Sequence, residues 1–171
     1  MIEHPQVLQP LTQATIDWLL GKGVQPEAIV QPSPIMTCKG VRAKDGRFDA
    51  DPEAPNFFAF EEERDLVFWQ PKTGDFATSE GHAFCLGEYL IYNPAVTAFD
   101  GWLHVFADPL TWLQNKRFGI VVIRWDMAFD MLRYTDRIAV DEEILATYRK
   151  HMKPPHMPKL AVLPKAERRA A

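Results

Sequence analysis

Four carboxylates in the second half of the chain, Asp108, Asp126, Asp141 and Glu143, follow short apolar runs and lead into helical patterns. In an open parallel sheet, sites form beyond the carboxyl ends of the strands, so three strand ends could bring these acids together. Together they would suit Mg²⁺, which prefers hard oxygen ligands and neutralises phosphate charge, the chemistry of phosphoryl or nucleotidyl transfer. The three aspartates also stand at helix starts. There, capping of free backbone N–H groups and the helix dipole explain them without a metal. Sequence leaves both readings open.

Other chemistry finds little support. His4, His82, His104, His151 and His156 show no HxH or HExxH spacing. His82 lies near Cys85, a nucleophile pair in principle, but no third group is positioned beside it. No dinucleotide loop, Walker pattern or G-x-S-x-G elbow occurs. Two distant cysteines, Cys38 and Cys85, exclude a disulfide framework and offer no zinc cluster. They read as reduced, buried side chains of a cytoplasmic protein. The amino terminus lacks the order of a signal peptide. Apolar runs such as Ile120 to Ile123 fall far below the roughly 18 residues a membrane span needs, so no membrane is expected.

The 171 residues are 47% apolar and 25% charged, with net charge −4, which excludes a disordered chain, a collagen-like fibre and a highly charged nucleic-acid coat. Charge is uneven. From Arg149 onward there are seven bases and one acid, a +6 tail that leaves −10 for the remainder. Lys153, Lys159, Lys165, Arg168 and Arg169 are the candidate nucleic-acid contacts, and a solvated tail is the plainer reading. Asp49, Asp51, Glu53, Glu61, Glu62, Glu63 and Asp65 form the acidic counterpart.

The elements that would position these groups follow from periodicity. Leu11 to Lys22 reads as a helix stopped by Gly23, with a second short helix opened by Pro26. Residues 32–55 are rich in Pro, Gly, Asp and Lys and read as irregular, with a hairpin at Asp45-Gly46. Phe57 to Phe60, Leu66 to Trp69 and Phe76 to Thr78 suggest a small antiparallel sheet. Leu86 to Tyr92 suggests a short helix. After residue 101 strands and helices alternate: strands at 102–107, 119–123, 138–140 and 160–163, with helices at 109–116, 126–134 and from 141 to near 151. The expected class is α+β: a helical hairpin with a small antiparallel lobe (1–93), a mainly parallel βαβαβαβ lobe (102–163) and a basic tail (164–171).

This order resembles the catalytic core of bacterial and phage DnaG-type primases. Trp18-Leu19-Leu20-x-Lys22-Gly23-Val24-x-Pro26-Glu27 is similar to the segment that opens that core, and Leu66-Val67-Phe68-Trp69-x-Pro71-x-Thr73-Gly74 to its antiparallel lobe. His104 to Leu113 followed by Gly119 to Ile123 resembles the start of the TOPRIM unit. Small proteins from phage- and plasmid-like regions of alphaproteobacteria, near replication genes, are also similar. The resemblance implies a TOPRIM-like fold. However, Ala107 stands at the glutamate that ends the first TOPRIM strand, Asp108 at the following glycine, and Asp141 with Glu143 gives D-x-E for D-x-D. The implied function is therefore a non-catalytic accessory of mobile-element DNA replication, without a cofactor, binding nucleic acid or a replication partner. The alternatives are a Mg²⁺-dependent nucleotidyl or phosphodiester enzyme using the four acids, and a partner-binding protein unrelated to replication.

Overall fold

Thr12 opens the first helix by accepting the Thr15 N–H at 3.3 Å, and helix α1 runs Gln13–Gly21. Gly23 ends it in the left-handed region, where Val24 N–H reaches Leu19 O and Gly23 N–H reaches Leu20 O. This paired closure puts Val24 against Leu19 in the core. Pro26 then starts α2, Pro26–Val30. The computed structural model describes residues 8–154, 156 and 158–162.

Six strands make up the larger sheet. β1 (Gln9–Pro10), β2 (Met36–Arg42), β3 (Phe48–Ala50), β4 (Asn56–Glu62), β5 (Asp65–Trp69) and β6 (Phe76–Thr78) form an antiparallel sheet in the order β1-β2-β4-β5-β6, with β3 paired to β2. Period-two geometry sends Phe57, Ala59, Leu66 and Phe68 to one face and Phe58, Phe60, Val67 and Trp69 to the other. Phe48 closes the first face by stacking on Phe68 at 3.8 Å between centroids. The second face packs on α1 and α2.

Residues 32–55 depart from the irregular segment expected. They contain β2, which pairs with β1, β3 and β4. Gly40 occupies a buried position of its alternation without an apolar side chain, which hides the strand in sequence. Gly40 is required by packing, since a Cβ there would run into the Phe48 ring and Asp49 O. The Asp45-Gly46 hairpin forms as expected, with Ala43 N–H bonded to Arg47 O and Gly46 at positive φ.

The second half forms a smaller sheet. β7 (Cys85–Leu86) pairs antiparallel with β9 (Val121–Val122), and β8 (Leu103–Val105) pairs parallel with β10 (Ile138–Val140). An isolated parallel bridge, Val105 to Ile120, joins the two pairs. The helices α3 (Pro109–Gln114), α4 (Ala128–Leu132) and α5 (Leu145–His151) follow β8, β9 and β10. The fold is thus mixed α+β, with an antiparallel sheet and a small parallel pair. Residues 160–162, expected as a fourth parallel strand, lie in no strand and are exposed, and Leu163 lies outside the described residues. Prolines at 154, 155 and 158 remove three N–H donors just ahead of that segment. Among the described residues, no helix is long and apolar enough to cross a membrane.

The two halves share a core. Phe60, Val67 and Trp69 from the first sheet meet Leu86, Phe106, Trp112 and Val121 from the second half. The other face of the smaller sheet, with Phe84, Cys85, Leu103, Val105, Ile120 and Val122, is covered by residues of α4 and α5.

Asp65 ties the halves where the chain leaves the larger sheet. Its carboxylate is 1% exposed and accepts four backbone N–H bonds, from Leu66 at 2.9 Å, Glu80 at 2.8 Å, His82 at 2.6 Å and Ala83 at 2.9 Å. Deleting that acceptor leaves buried donors without partners, at a cost for each of ~1–3 kcal/mol. Asp65→Ala should therefore lower unfolding free energy by on the order of 4 kcal/mol, and Asp65→Asn by less, in urea titrations followed by tryptophan fluorescence.

Candidate functional site

The structure gives each sequence-expected acid a local position. Asp108 caps α3, accepting Thr111 N–H at 3.0 Å and the Thr111 hydroxyl at 2.7 Å. Asp141 accepts Ala107 N–H at 2.9 Å, and its own N–H donates to Val105 O, so it fastens the end of β10 to the end of β8. Asp126 is exposed in a 3-10 turn and pairs with Arg124 at 3.3 Å. Glu143 sits in the exposed turn Glu142–Ile144. Asp141 thus bonds to the residue that precedes Asp108, Asp108 bonds within its own helix turn, and Asp126 and Glu143 have other settings. Among the described residues, no three His, Cys, Asp or Glu side chains gather as a group that could hold a metal ion.

The other sequence candidates separate similarly. Lys153 and Lys159 are exposed beyond α5, and Lys165, Arg168 and Arg169 lie outside the described residues. Cys85 is fully buried, and that burial pushes its thiol well above the ordinary range. His82 is exposed. A protonated, enclosed thiol beside a solvent-facing imidazole removes the nucleophile pair from consideration.

A cleft that sequence reading missed collects three arginines. It measures about 500 Å³ and lies between the Asp45-Gly46 hairpin and the segment after β9. Arg42, Arg47 and Arg124 line it with Asp45 and Glu80, over an apolar surface that includes Phe76 and Ile123. The hairpin is held there by a bridge between Arg47 and Thr78 and by Thr78 N–H donating to Gly46 O at 3.1 Å. Arg124 is oriented by donating to Gly81 O at 3.1 Å and by its pair with Asp126. Arg47 faces Asp45 at 3.9 Å, while the exposed Arg42 guanidinium makes no hydrogen bond or ion pair with a described residue. The lining carries a net +1 in a chain of net −4. Such a cleft suits a phosphate or another oxyanion, since guanidinium groups bind oxyanions in a fork. The half-buried Phe76 adds a flat apolar surface. Sequence alone had one signal for this site, the basic residues Arg42 and Arg47 flanking the hairpin turn.

A second polar cluster is internal. Glu62 accepts Gly87 N–H at 2.7 Å and Glu88 N–H at 3.3 Å, and Glu88 in turn accepts Phe84 N–H at 3.0 Å. Gly87 adopts positive φ, and a Cβ there would strike Gly119 O. Arg117 is 3% exposed, with Nη1 donating to Ser33 O at 3.0 Å and its guanidinium 5.6 Å from the Phe60 ring and 5.5 Å from the Trp112 ring. Burial lowers the Arg117 pKa to about 10, partly offset by Glu62 and Tyr89. Burial raises Glu62 to about 7, partly offset by its two backbone N–H donors and by Arg117, while Glu88 pushes it further up.

No family model, no curated protein and no solved structure matches the chain.

The raised Glu62 pKa has a definite sign for stability. The folded chain keeps a proton that the unfolded chain loses near 4.5, so this contribution is complete below that value and is lost as pH rises through about 7. The whole effect is ~3 kcal/mol. Glu62→Gln should flatten the decline in unfolding free energy between about pH 5 and pH 8, measured by urea titration at each pH.

Proposed function

We propose that the chain is a non-catalytic accessory protein of mobile-element DNA replication that binds nucleic acid, with the Arg42–Arg47–Arg124 cleft as its contact to the phosphate backbone. The observation that carries the binding reading is the gathering of three guanidinium groups in one cleft, on an otherwise acidic chain. Arg42 carries particular weight, because an exposed arginine without a partner among the described residues suits an incoming phosphate. Phe76 in the same cleft supplies a face on which a base can stack. Lys153 and Lys159 are further exposed bases among the described residues.

The replication setting comes from the resemblance to DnaG-type primases. Parallel pairing of β8 with β10, the parallel bridge from Val105 to Ile120 and the intervening helices support a degenerate TOPRIM-like unit. The non-catalytic part of this reading is supported by Ala107 at the position of the TOPRIM glutamate and by the structural bonds made by Asp108 and Asp141. Carboxylates committed to backbone N–H groups serve caps and strand ends.

Binding through phosphates is salt-dependent, because each neutralised phosphate releases counterions. Fluorescence anisotropy with a labelled oligonucleotide should show affinity falling linearly with salt on logarithmic axes. Arg42→Ala should weaken binding several-fold and reduce the slope by about 0.7 to 0.9. Its thermal stability should stay within about 0.5 kcal/mol of the parent, as for a surface change that breaks no bond. Absence of binding at low salt, or an unchanged slope in Arg42→Ala, refutes the assignment.

A further inference from the structure

We propose that the groove lined by Tyr92 and Tyr134 binds the proline-rich segment 153–159 of a second copy of this chain. The proposal is independent of the nucleic-acid reading, since the groove shares no lining residue with the arginine cleft. It lies between the residues 90–97 that follow β7 and the residues 134–136 that precede β10. It measures about 120 Å³, several times the roughly 30 Å³ share of a water in the liquid. Buried Val96 and Leu103 line it from the core side, and Tyr92 and Tyr134 line it while remaining 68% and 81% exposed.

The lining selects the class of ligand. Exposed aromatic rings beside apolar side chains are the surface that takes polyproline II segments. Proline lacks an N–H, so such a segment offers carbonyl acceptors in excess, and a tyrosine hydroxyl can donate to one. Neither tyrosine hydroxyl makes a hydrogen bond with a described residue. The Arg133 guanidinium lies 4.8 Å from the centre of the Tyr134 ring and braces it. The adjoining turn extends the aromatic surface. Thr97 lines the groove, and Phe99 and Asp100 beyond it both hold the left-handed backbone region, with φ of 50° and 66°. Arg137 pins that turn by pairing with Asp100 at 2.9 Å, and the Phe99 ring stands fully in solvent. A backbone held against its preference to present a bare ring marks a surface built for contact.

The chain itself carries the matching ligand, Lys153-Pro154-Pro155-His156-Met157-Pro158-Lys159. Polyproline II geometry repeats every three residues, and Pro155 and Pro158 have that spacing. Lys153, Pro154, His156, Pro158 and Lys159 are exposed and none lines the groove of their own copy, while Pro155 and Met157 lie outside the described residues. Charge fits as well. Asp136 lines the groove, is exposed and pairs with no described base, whereas the neighbouring Arg133 and Arg137 are paired with Asp130 and Asp100. Lys159 supplies the cation that Asp136 lacks. Each copy offers one groove and one segment, so reciprocal exchange closes a pair.

Sedimentation velocity of the full chain without nucleic acid, from about 10 µM to about 1 mM, tests the pairing in the range of small, transient interfaces. The sedimentation coefficient should rise with concentration toward that of a dimer. A labelled peptide of residues 152–160 should bind the chain saturably in anisotropy titrations. Tyr134→Ala, and Pro155→Ala with Pro158→Ala, should each weaken association at least about tenfold. Asp136→Lys should weaken it several-fold, and adding Lys159→Asp should restore it. Thermal stability should stay close to the parent's for these exposed positions. A monomer throughout the range, association unchanged by the paired proline substitutions, or no recovery in the charge exchange overturns the proposal. Peptide binding by a chain that stays monomeric assigns the segment to the groove of its own copy and equally overturns it. Oligonucleotide binding through Arg42 would stand in any of these cases.

Discussion

The Asp65 carboxylate, sealed from solvent and surrounded by four backbone N–H groups, is the constraint on which the rest of the architecture depends. A buried carboxylate is tolerated only where its charge is met, and here four backbone N–H groups meet it. The donors come from the first residues of β5 and from the loop 80–83 that leaves the larger sheet. Asp65 thereby fixes where the chain departs and the direction in which β7 enters the smaller sheet. Two neighbouring acids continue the device. Glu62 receives the turn after β7, and Glu88 reaches back to Phe84. Three carboxylates therefore organise one crossing between sheets by accepting from backbone that has left regular pairing.

This crossing explains how a small sheet can serve two cores. Leu86 and Val121 face the larger sheet, while Cys85 and Val122 face α4 and α5. Strands of two or three residues are marginal alone, and burial on both faces is what supports them. Close backbone approach is part of the same solution. Gly119 lies so near His104 O and the Phe106 ring that no larger residue fits, and Gly87 approaches Gly119 O from the opposite strand. The candidate sites lie on the margins of this arrangement. The arginine cleft opens where the Asp45-Gly46 hairpin meets the segment after β9, and the Tyr92–Tyr134 groove opens where the residues after β7 meet those ahead of β10.

Much of the local structure was legible in the chain, for identifiable reasons. Gly23 and Pro26 marked the first helical hairpin because few residues tolerate those backbone positions. Asp108-Pro109 announced α3, and capping was the role the folded chain gave that aspartate. Alternation in Phe57 to Phe60 and Leu66 to Trp69 revealed β4 and β5. By contrast β2 was hidden, because at its buried position 40 the neighbouring Phe48 ring leaves room only for a glycine, where the pattern would show an apolar side chain. Residues 160–162 had the composition of a strand but lack a pairing partner among the described residues. In the sequence, the acidic run from Glu61 to Asp65 stood only as the counterpart of the basic tail. Two of its members, Glu62 and Asp65, are instead acceptors in the interior, a role assigned by donors 15 to 26 residues away.

The sequence by itself determined the helix ends, the hairpin turn, the α+β class and the uneven charge, because those depend on neighbours within a few positions and on residue chemistry. Tertiary structure alone decided which acids are buried, that β7 joins β9, and that Arg42, Arg47 and Arg124 share one cleft. These outcomes depend on distances between segments remote along the chain, and burial changes both the titration of a carboxyl and the partners open to a guanidinium.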